Sequence, residues 1–165
     1  MSEAGPNRWQ ALAQNVAFSR PGAWLFSRTL HHVDRFLLRL TGGRLSVPRL
    51  LGGVPVVLLT TTGAKSGKAR TVPVLGLRDG DHWLLVASNW GRDHHPAWYY
   101  NLRANPEVTL THVDVSTRYV AEEATDDDRE EYWQKAMQTY PGFERWQDRT
   151  GEREIPMVVL HPIEA

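Results

Sequence analysis

The stretch TTTGAKSGKART, Thr60 to Thr71, gathers two lysines, an arginine, two glycines and five hydroxyl groups into twelve residues between two apolar runs. These residue types suit an anion. Glycines let backbone N–H groups approach a ligand, Ser66 adds a donor, and Lys65, Lys68 and Arg70 supply charge-assisted hydrogen bonds, so phosphate or carboxylate fits best. A nucleotide-binding P-loop would need four residues between its first glycine and the Gly-Lys pair, then Ser or Thr, then a helix. Here Gly63 and Gly67 enclose only Ala64, Lys65 and Ser66, and Ala69 follows Lys68. The next run, RTVPVLGL, is rich in β-branched residues and contains Pro73, which is costly inside a helix. A solvated turn kept soluble by its lysines would have the same composition, so the loop alone leaves both readings open.

The second chemically dense stretch is VASNWGRDHHPAWYYNLRANPEV, which holds Ser88, Asn89, His94, His95 and the aromatic residues Trp98, Tyr99 and Tyr100. A metal site would have to use the two adjacent histidines, whose side chains diverge by about 100° on a helix start, with only Asp93 at a useful spacing; no metal is expected. A serine-hydrolase triad is excluded because no G-x-S-x-G elbow is present. An aromatic wall with polar edges around Trp98 suits a flat ligand, although Trp98, Tyr99 and Leu102 would equally form the core face of a helix.

These residues need elements to position them. VPVVLLTTT reads as a buried strand, and a second strand follows the basic loop over about residues 70–78. Asp79-Gly80 signals a hairpin into HWLLVAS. PAWYYNLRAN reads as a helix opened by Pro96 and stopped at Asn105-Pro106. EVTLTHV and STRYVAEE alternate like paired strands, Thr125 and three aspartates open a helix running to Tyr140, and IPMVVLH closes as a last strand. Upstream, Phe26, Leu30, Val33, Leu37 and Leu40 recur at helical spacing, with arginines on another face. This predicts an amphipathic helix that packs on the core or lies on a membrane surface through residues 21–40.

The pattern predicts an α+β protein built on a small barrel of about six mostly antiparallel strands with flanking helices. Residues 1–45 are read as N-terminal helices of the same domain and 46–165 as the barrel. A barrel this small leaves little interior room, so a large ligand must bind outside it or at a subunit interface. The 165 residues carry zero formal net charge, which gives no global pull toward nucleic acid. Cysteine is absent, excluding disulfides, thiolate metal sites and a cysteine nucleophile. No secretory signal is read at the N-terminus, and a cytoplasmic protein is expected, with contact to the inner face of the membrane as the alternative.

Taken together, LLTTTGAKSGKARTVPVLGLRDGDHWLLVASNWGRDHHPAWYYNLRANPEVTL resembles the deazaflavin-dependent nitroreductase family, whose members bind F420 on a split β-barrel. The order of motifs carries the likeness: T-T-x-G-x-K-S-G-x-x-R-x-x-P, then A-S, then H-P-x-W-x-x-N-L-x-A-N-P. The resemblance implies that Lys65, Ser66, Arg70 and Thr71 hold the cofactor's phosphodiester, with Ala64, Gly67 and Pro73 beside them. It implies that Val86, Ala87, Ser88 and Asn89 line the deazaflavin ring, and that Ala97, Trp98, Tyr99, Tyr100 and Asn101 complete the pocket. Tyr140 is expected as the catalytic hydroxyl, and Trp90, Tyr140, Phe143 and Trp146 as the walls around the acceptor. Asn89 and Trp90 stand where relatives active on nitroimidazoles often carry a lysine after the serine, and Phe143 and Trp146 where they carry tyrosines. Fewer donors and bulkier walls favour flat, apolar acceptors such as quinones. The expected activity is hydride transfer from F420H2 to a small-molecule acceptor, with a homodimer expected as for other split barrels. A non-catalytic F420 carrier and an FMN-dependent oxidoreductase are the alternatives.

Overall fold

The structure is a computed structural model that describes residues 56–163. The expected N-terminal helices and the candidate membrane segment 21–40 lie outside the described residues. Within them, the chain forms β1 (Val56–Thr62), β2 (Ala69–Asp79), β3 (His82–Val86), a 3-10 turn (Asn89–Gly91), α1 (Ala97–Ala104), β4 (Glu107–His112), β5 (Val115–Glu123), α2 (Asp126–Thr139), α3 (Gly142–Arg149) and β6 (Met157–Pro162). The strands close into an antiparallel barrel in the order β1-β2-β3-β6-β5-β4. Closure removes the exposed strand edges.

The β3 run reads as continuously apolar because both of its faces are covered. Trp83, Leu85 and Ala87 point into the barrel with Val57, Leu59, Val108, Leu110, Val158 and Leu160. Leu84 and Val86 point outward into a second core with Met157, Val159, Ala136 of α2, and Phe143 and Trp146 of α3. Helix α1 adds Tyr99 and Leu102 to the barrel interior. It is anchored further by the Tyr99 hydroxyl, which donates to the Glu123 carboxylate of β5 at 2.8 Å.

Both two-residue hairpin turns depend on left-handed backbone. Asp79 pairs with His82, so Gly80 occupies the first turn position at φ 58°, where a residue without Cβ carries no penalty. Between β4 and β5, register pairs His112 with Val115 and forces Val113 and Asp114 to φ 47° and 63°. For a β-branched valine that conformation costs about 1–3 kcal/mol.

Three local expectations change. Strand β3 ends at Val86, since the chain turns at Ser88. Thr125 occupies the N-cap position of α2, but its hydroxyl lies 3.4 Å from the Asp128 carboxylate and caps no backbone N–H. Helix α3 is an additional element. Its eight residues are too few to display a helical period, and Phe143 and Trp146 define its buried face only once the outer side of β3 and β6 is present.

Candidate functional site

The two chemically dense stretches meet in space. A groove of about 660 Å³ runs between the basic loop and α1, lined on one side by Gly63, Ala64, Lys65, Ser66 and Arg70, and on the other by Ala97, Trp98, Tyr100 and Asn101. Thr61 and Val72 form the remainder of its wall.

The loop is built as a tight turn on β1 and β2. The Gly63 N–H donates to the Lys68 carbonyl at 2.9 Å, and the Gly67 N–H donates to the Gly63 carbonyl at 2.8 Å. A Cβ at Gly63 would lie 2.7 Å from the Ser66 hydroxyl oxygen and 3.2 Å from the Lys68 carbonyl, so a side chain there would displace the Ser66 hydroxyl and press on the carbonyl that closes the turn. Gly67 sits at φ 63°. Below the turn, the hydroxyls of Thr60 and Thr71 meet at 2.8 Å across the strand pair.

Asn101 fixes this loop to α1. Its Oδ1 accepts from the Ala64 N–H at 3.0 Å, and its Nδ2 donates to the Thr61 hydroxyl at 3.0 Å. Thr61 is only 2% exposed and shares the inward face of β1 with Val57 and Leu59. The expected cofactor residue Asn101 therefore positions the loop with both ends of its amide. Thr61 was not singled out in the sequence, although a hydroxyl on an otherwise apolar strand face was the available signal.

The electrostatics of the groove are one-sided. Lys65, Lys68 and Arg70 are exposed and make no ion pair or side-chain hydrogen bond among the described residues. Among the described residues, no carboxylate lines the groove. Lys65, Ser66 and Arg70 face it, whereas Lys68 does not. Tyr100 presents a ring that is 48% exposed, and Trp98 packs partly on the barrel interior. Uncommitted cations, a hydroxyl and an aromatic wall form a donor set that fits a phosphodiester joined to a ring system.

The other expected residues are placed elsewhere. Val86, Ala87 and Ser88 are buried and do not line the groove, nor do Gly67, Thr71, Pro73, Asn89 or Tyr99. Tyr99 is a core residue whose hydroxyl is pushed up to about 12 by burial and by its bond to Glu123. It borders a second cavity of about 370 Å³ with His95, Glu123, Arg129 and Arg153.

Trp90, Tyr140, Phe143 and Trp146 are brought together, apart from the groove, as an edge-to-face aromatic cluster with centroid separations of 5.1 to 5.8 Å. Phe143 and Trp146, expected as acceptor walls, are 0% and 2% exposed and seal the second core. An apolar ring placed between a strand face and two helices gains more from dry packing than from a wet cavity wall. Trp90 and Tyr140 are half-buried and form the edge of the cluster. Burial pushes the Tyr140 phenol well above its ordinary value, so it stays protonated at neutral pH.

Between these regions, the chain leaves β3 through a strained turn. Asn89, Trp90 and Gly91 have φ of 49°, 60° and 72°. For the two residues with side chains this costs on the order of 1–3 kcal/mol each. Gly91 is packed so closely that a Cβ would lie 3.0 Å from the Arg149 Cβ and 3.1 Å from the Trp146 carbonyl.

A closed antiparallel barrel of six strands carrying a basic, ring-walled groove on its outside is the architecture of a split-barrel protein. The model of the F420H(2)-dependent quinone reductase family matches residues 30–162. The chain is 38% identical over 141 residues to the F420H(2)-dependent quinone reductase of Mycobacterium tuberculosis strain H37Rv, covering 78% of this chain and 92% of that one. Among solved structures it is similar to an F420-H2 dependent reductase, FDR-A, at TM-score 0.60 and 39% identity, over 65% of this chain and 94% of that one. A domain-swapped dimer matches at TM-score 0.62 and 35% identity, over 86% of this chain and 99% of that one. The chain belongs to the F420H(2)-dependent quinone reductase family and is an oxidoreductase whose cofactor is F420. The expected split barrel and deazaflavin chemistry are both borne out.

Proposed function

We propose that this chain reduces quinones and similar activated, unsaturated acceptors, and that the groove between the basic loop and α1 is its cofactor site. The observation that carries the assignment is the set of cations that face the groove and have no partner among the described residues. Lys65, Ser66 and Arg70 hold the phosphodiester with the loop backbone, and Thr71, bonded to Thr60 outside the groove lining, braces the strand pair beneath them. Trp98 and Tyr100 supply the aromatic wall, and Asn101 keeps the loop at the correct distance from α1. When bound, F420H2 supplies the hydride, so the protein's contribution is binding, orientation and exclusion of water.

On the acceptor side the half-buried edge of the aromatic cluster, Trp90 and Tyr140, is proposed as the contact surface, with Phe143 and Trp146 as its rigid backing. A protonated Tyr140 hydroxyl can donate to the oxygen of an acceptor carbonyl as it gains charge. Family membership and the bulky aromatic edge support quinones over compact nitro compounds. The sealed barrel interior supports a homodimer with the site near the subunit boundary. No helix among the described residues is long and apolar enough to cross a membrane. A cytoplasmic enzyme is proposed, with residues 21–40 as its candidate contact to the membrane face where lipid-soluble quinones reside.

The test is titration of the protein with F420 and with FMN, followed by anaerobic turnover of F420H2 with quinones and with nitroaromatics. Tighter F420 binding and faster quinone reduction are expected. An FMN preference of tenfold, about 1.4 kcal/mol, would reverse the cofactor assignment. Tight F420 binding without turnover of any acceptor would mark a carrier, and faster nitroaromatic reduction would overturn the acceptor class.

A further inference from the structure

Arg153, in the segment between α3 and β6, spends almost its whole guanidinium on one short piece of chain. Nε donates to the Arg92 carbonyl at 3.0 Å, and Nη2 donates to the same carbonyl at 2.8 Å and to the Ser88 carbonyl at 2.9 Å. Nη1 lies 3.0 Å from Nδ1 of His95, which accepts when that imidazole is neutral. The segment so gripped, Ser88 to Arg92, contains the left-handed residues Asn89, Trp90 and Gly91.

The arginine is held in turn from its own backbone. The Arg153 carbonyl accepts from Gln147 Nε2 at 3.0 Å and lies 2.6 Å from the Thr150 hydroxyl. Gln147 Oε1 accepts from the Ile155 N–H at 3.0 Å, which ties the whole segment to the end of α3. A rigid fork held at both ends against a strained turn has the form of a positioning device, because left-handed Trp90 persists only where its surroundings over-determine it.

We propose that Arg153 is a positioning residue that holds the Ser88–Arg92 turn, and therefore Trp90, in the one conformation that lets the acceptor meet the cofactor. The inference rests on the acceptor-side reading above. Arg153 does not line the groove, so cofactor binding and acceptor geometry are separable. A lysine cannot substitute, since its single ammonium cannot make the paired contacts to the Arg92 carbonyl while also reaching Ser88 and His95.

The test compares wild type with Arg153→Gln, Arg153→Lys and, as a stability control, Arg129→Gln. Arg129 pairs with Glu154 at 2.9 Å and reaches the Ile155 carbonyl at 3.4 Å, but makes no bond to the turn. In cofactor-free protein, amide hydrogen exchange of the peptide covering residues 88–95 should accelerate about tenfold in both Arg153 variants and not in Arg129→Gln. The F420 dissociation constant should stay within about twofold, while kcat for quinone reduction falls about tenfold or more, with no rescue by lysine. If Arg153→Gln fails to fold, Arg153→Lys carries the same readouts. The inference is overturned by an unchanged exchange rate, by wild-type kcat, by kcat losses that track melting temperature equally at Arg129, or by weakened F420 binding. A wild-type protein that binds F420 yet reduces no quinone would instead overturn the acceptor reading and this inference with it, whatever the exchange data show.

Discussion

The basic loop and the Arg153 staple both place cationic side chains beside turns that leave barrel strands, yet they are built on opposite plans. In the loop, Lys65 and Arg70 face a groove and contact no partner among the described residues. At the staple, one guanidinium reaches two carbonyls and a histidine. Lys135 of α2 follows the second plan, bonding Asp79 at 2.7 Å and Glu131 at 2.9 Å, and those two carboxylates raise its pKa. A cation whose donors are saturated internally organises the chain. One kept solvated and unpaired retains its hydrogen-bonding capacity for a ligand, and leaving it so costs little because it is never desolvated.

Removing the two groove-facing cations should have the largest effect. Lys65→Ala combined with Arg70→Ala should weaken F420 binding roughly a hundredfold or more, since each charge-assisted hydrogen bond contributes about 1.5–3 kcal/mol. The melting temperature should barely move, and Lys68→Ala, outside the groove, should change affinity by less than about threefold. Fluorescence titration across a salt series measures both. A loss in Lys68→Ala as large as half the double variant's loss in binding free energy would replace specific contacts with diffuse attraction.

Gly91→Ala attacks the opposite plan. With φ at 72° and a new Cβ pressed 3.0 Å from the Arg149 Cβ, it should destabilise the fold by roughly 1–3 kcal/mol in chemical denaturation. F420 affinity should remain near wild type, because no groove residue moves. Asn101→Ala should act on both properties at once. It leaves the buried Thr61 hydroxyl and the Ala64 N–H without their partner, costing about 1–2 kcal/mol of stability and loosening the loop enough to weaken F420 several-fold. A stability loss with unchanged affinity would show that the clamp does not set the groove.

The smallest effect expected is a pH dependence at His95. Burial and the Arg153 guanidinium hold its pKa below the ordinary 6.5, with Arg103 and His94 acting in the same direction and Glu123 opposing them. The folded state then binds fewer protons than the unfolded chain, so this contribution is complete above about pH 6.5 and is lost as pH falls through that value toward the folded pKa. Melting temperatures recorded from about pH 7.5 to pH 5 should fall in wild type and fall less in His95→Gln, whose amide oxygen can still accept from Arg153. Identical slopes would remove His95 from the staple's energetics.

The sequence by itself determined the parts that depend on local chemistry. Strand runs, the Gly80 turn, the glycine-spaced cations of the loop and the helix opened by Pro96 were all legible, because turn geometry, period and charge are properties of neighbouring residues. The order of those motifs sufficed to indicate the deazaflavin family. Which faces are covered depends on how the barrel closes and where the helices pack. Val86 and Ala87 read alike in the sequence, but closure of the barrel sends one outward and the other inward. That Phe143 and Trp146 are buried, and do not face solvent, is set by the outer face of β3 and β6, which gives them a dry surface. That Asn101, which lines the groove, also meets Thr61, forty residues away, at 3.0 Å is set by the fold and not by its neighbours in the chain. Arg153 carried no signal, since one arginine in a loop is indistinguishable from any solvated charge. Its role arises from carbonyls 61 and 65 residues distant, and such long-range partners are set by how the chain closes on itself rather than by what flanks each residue.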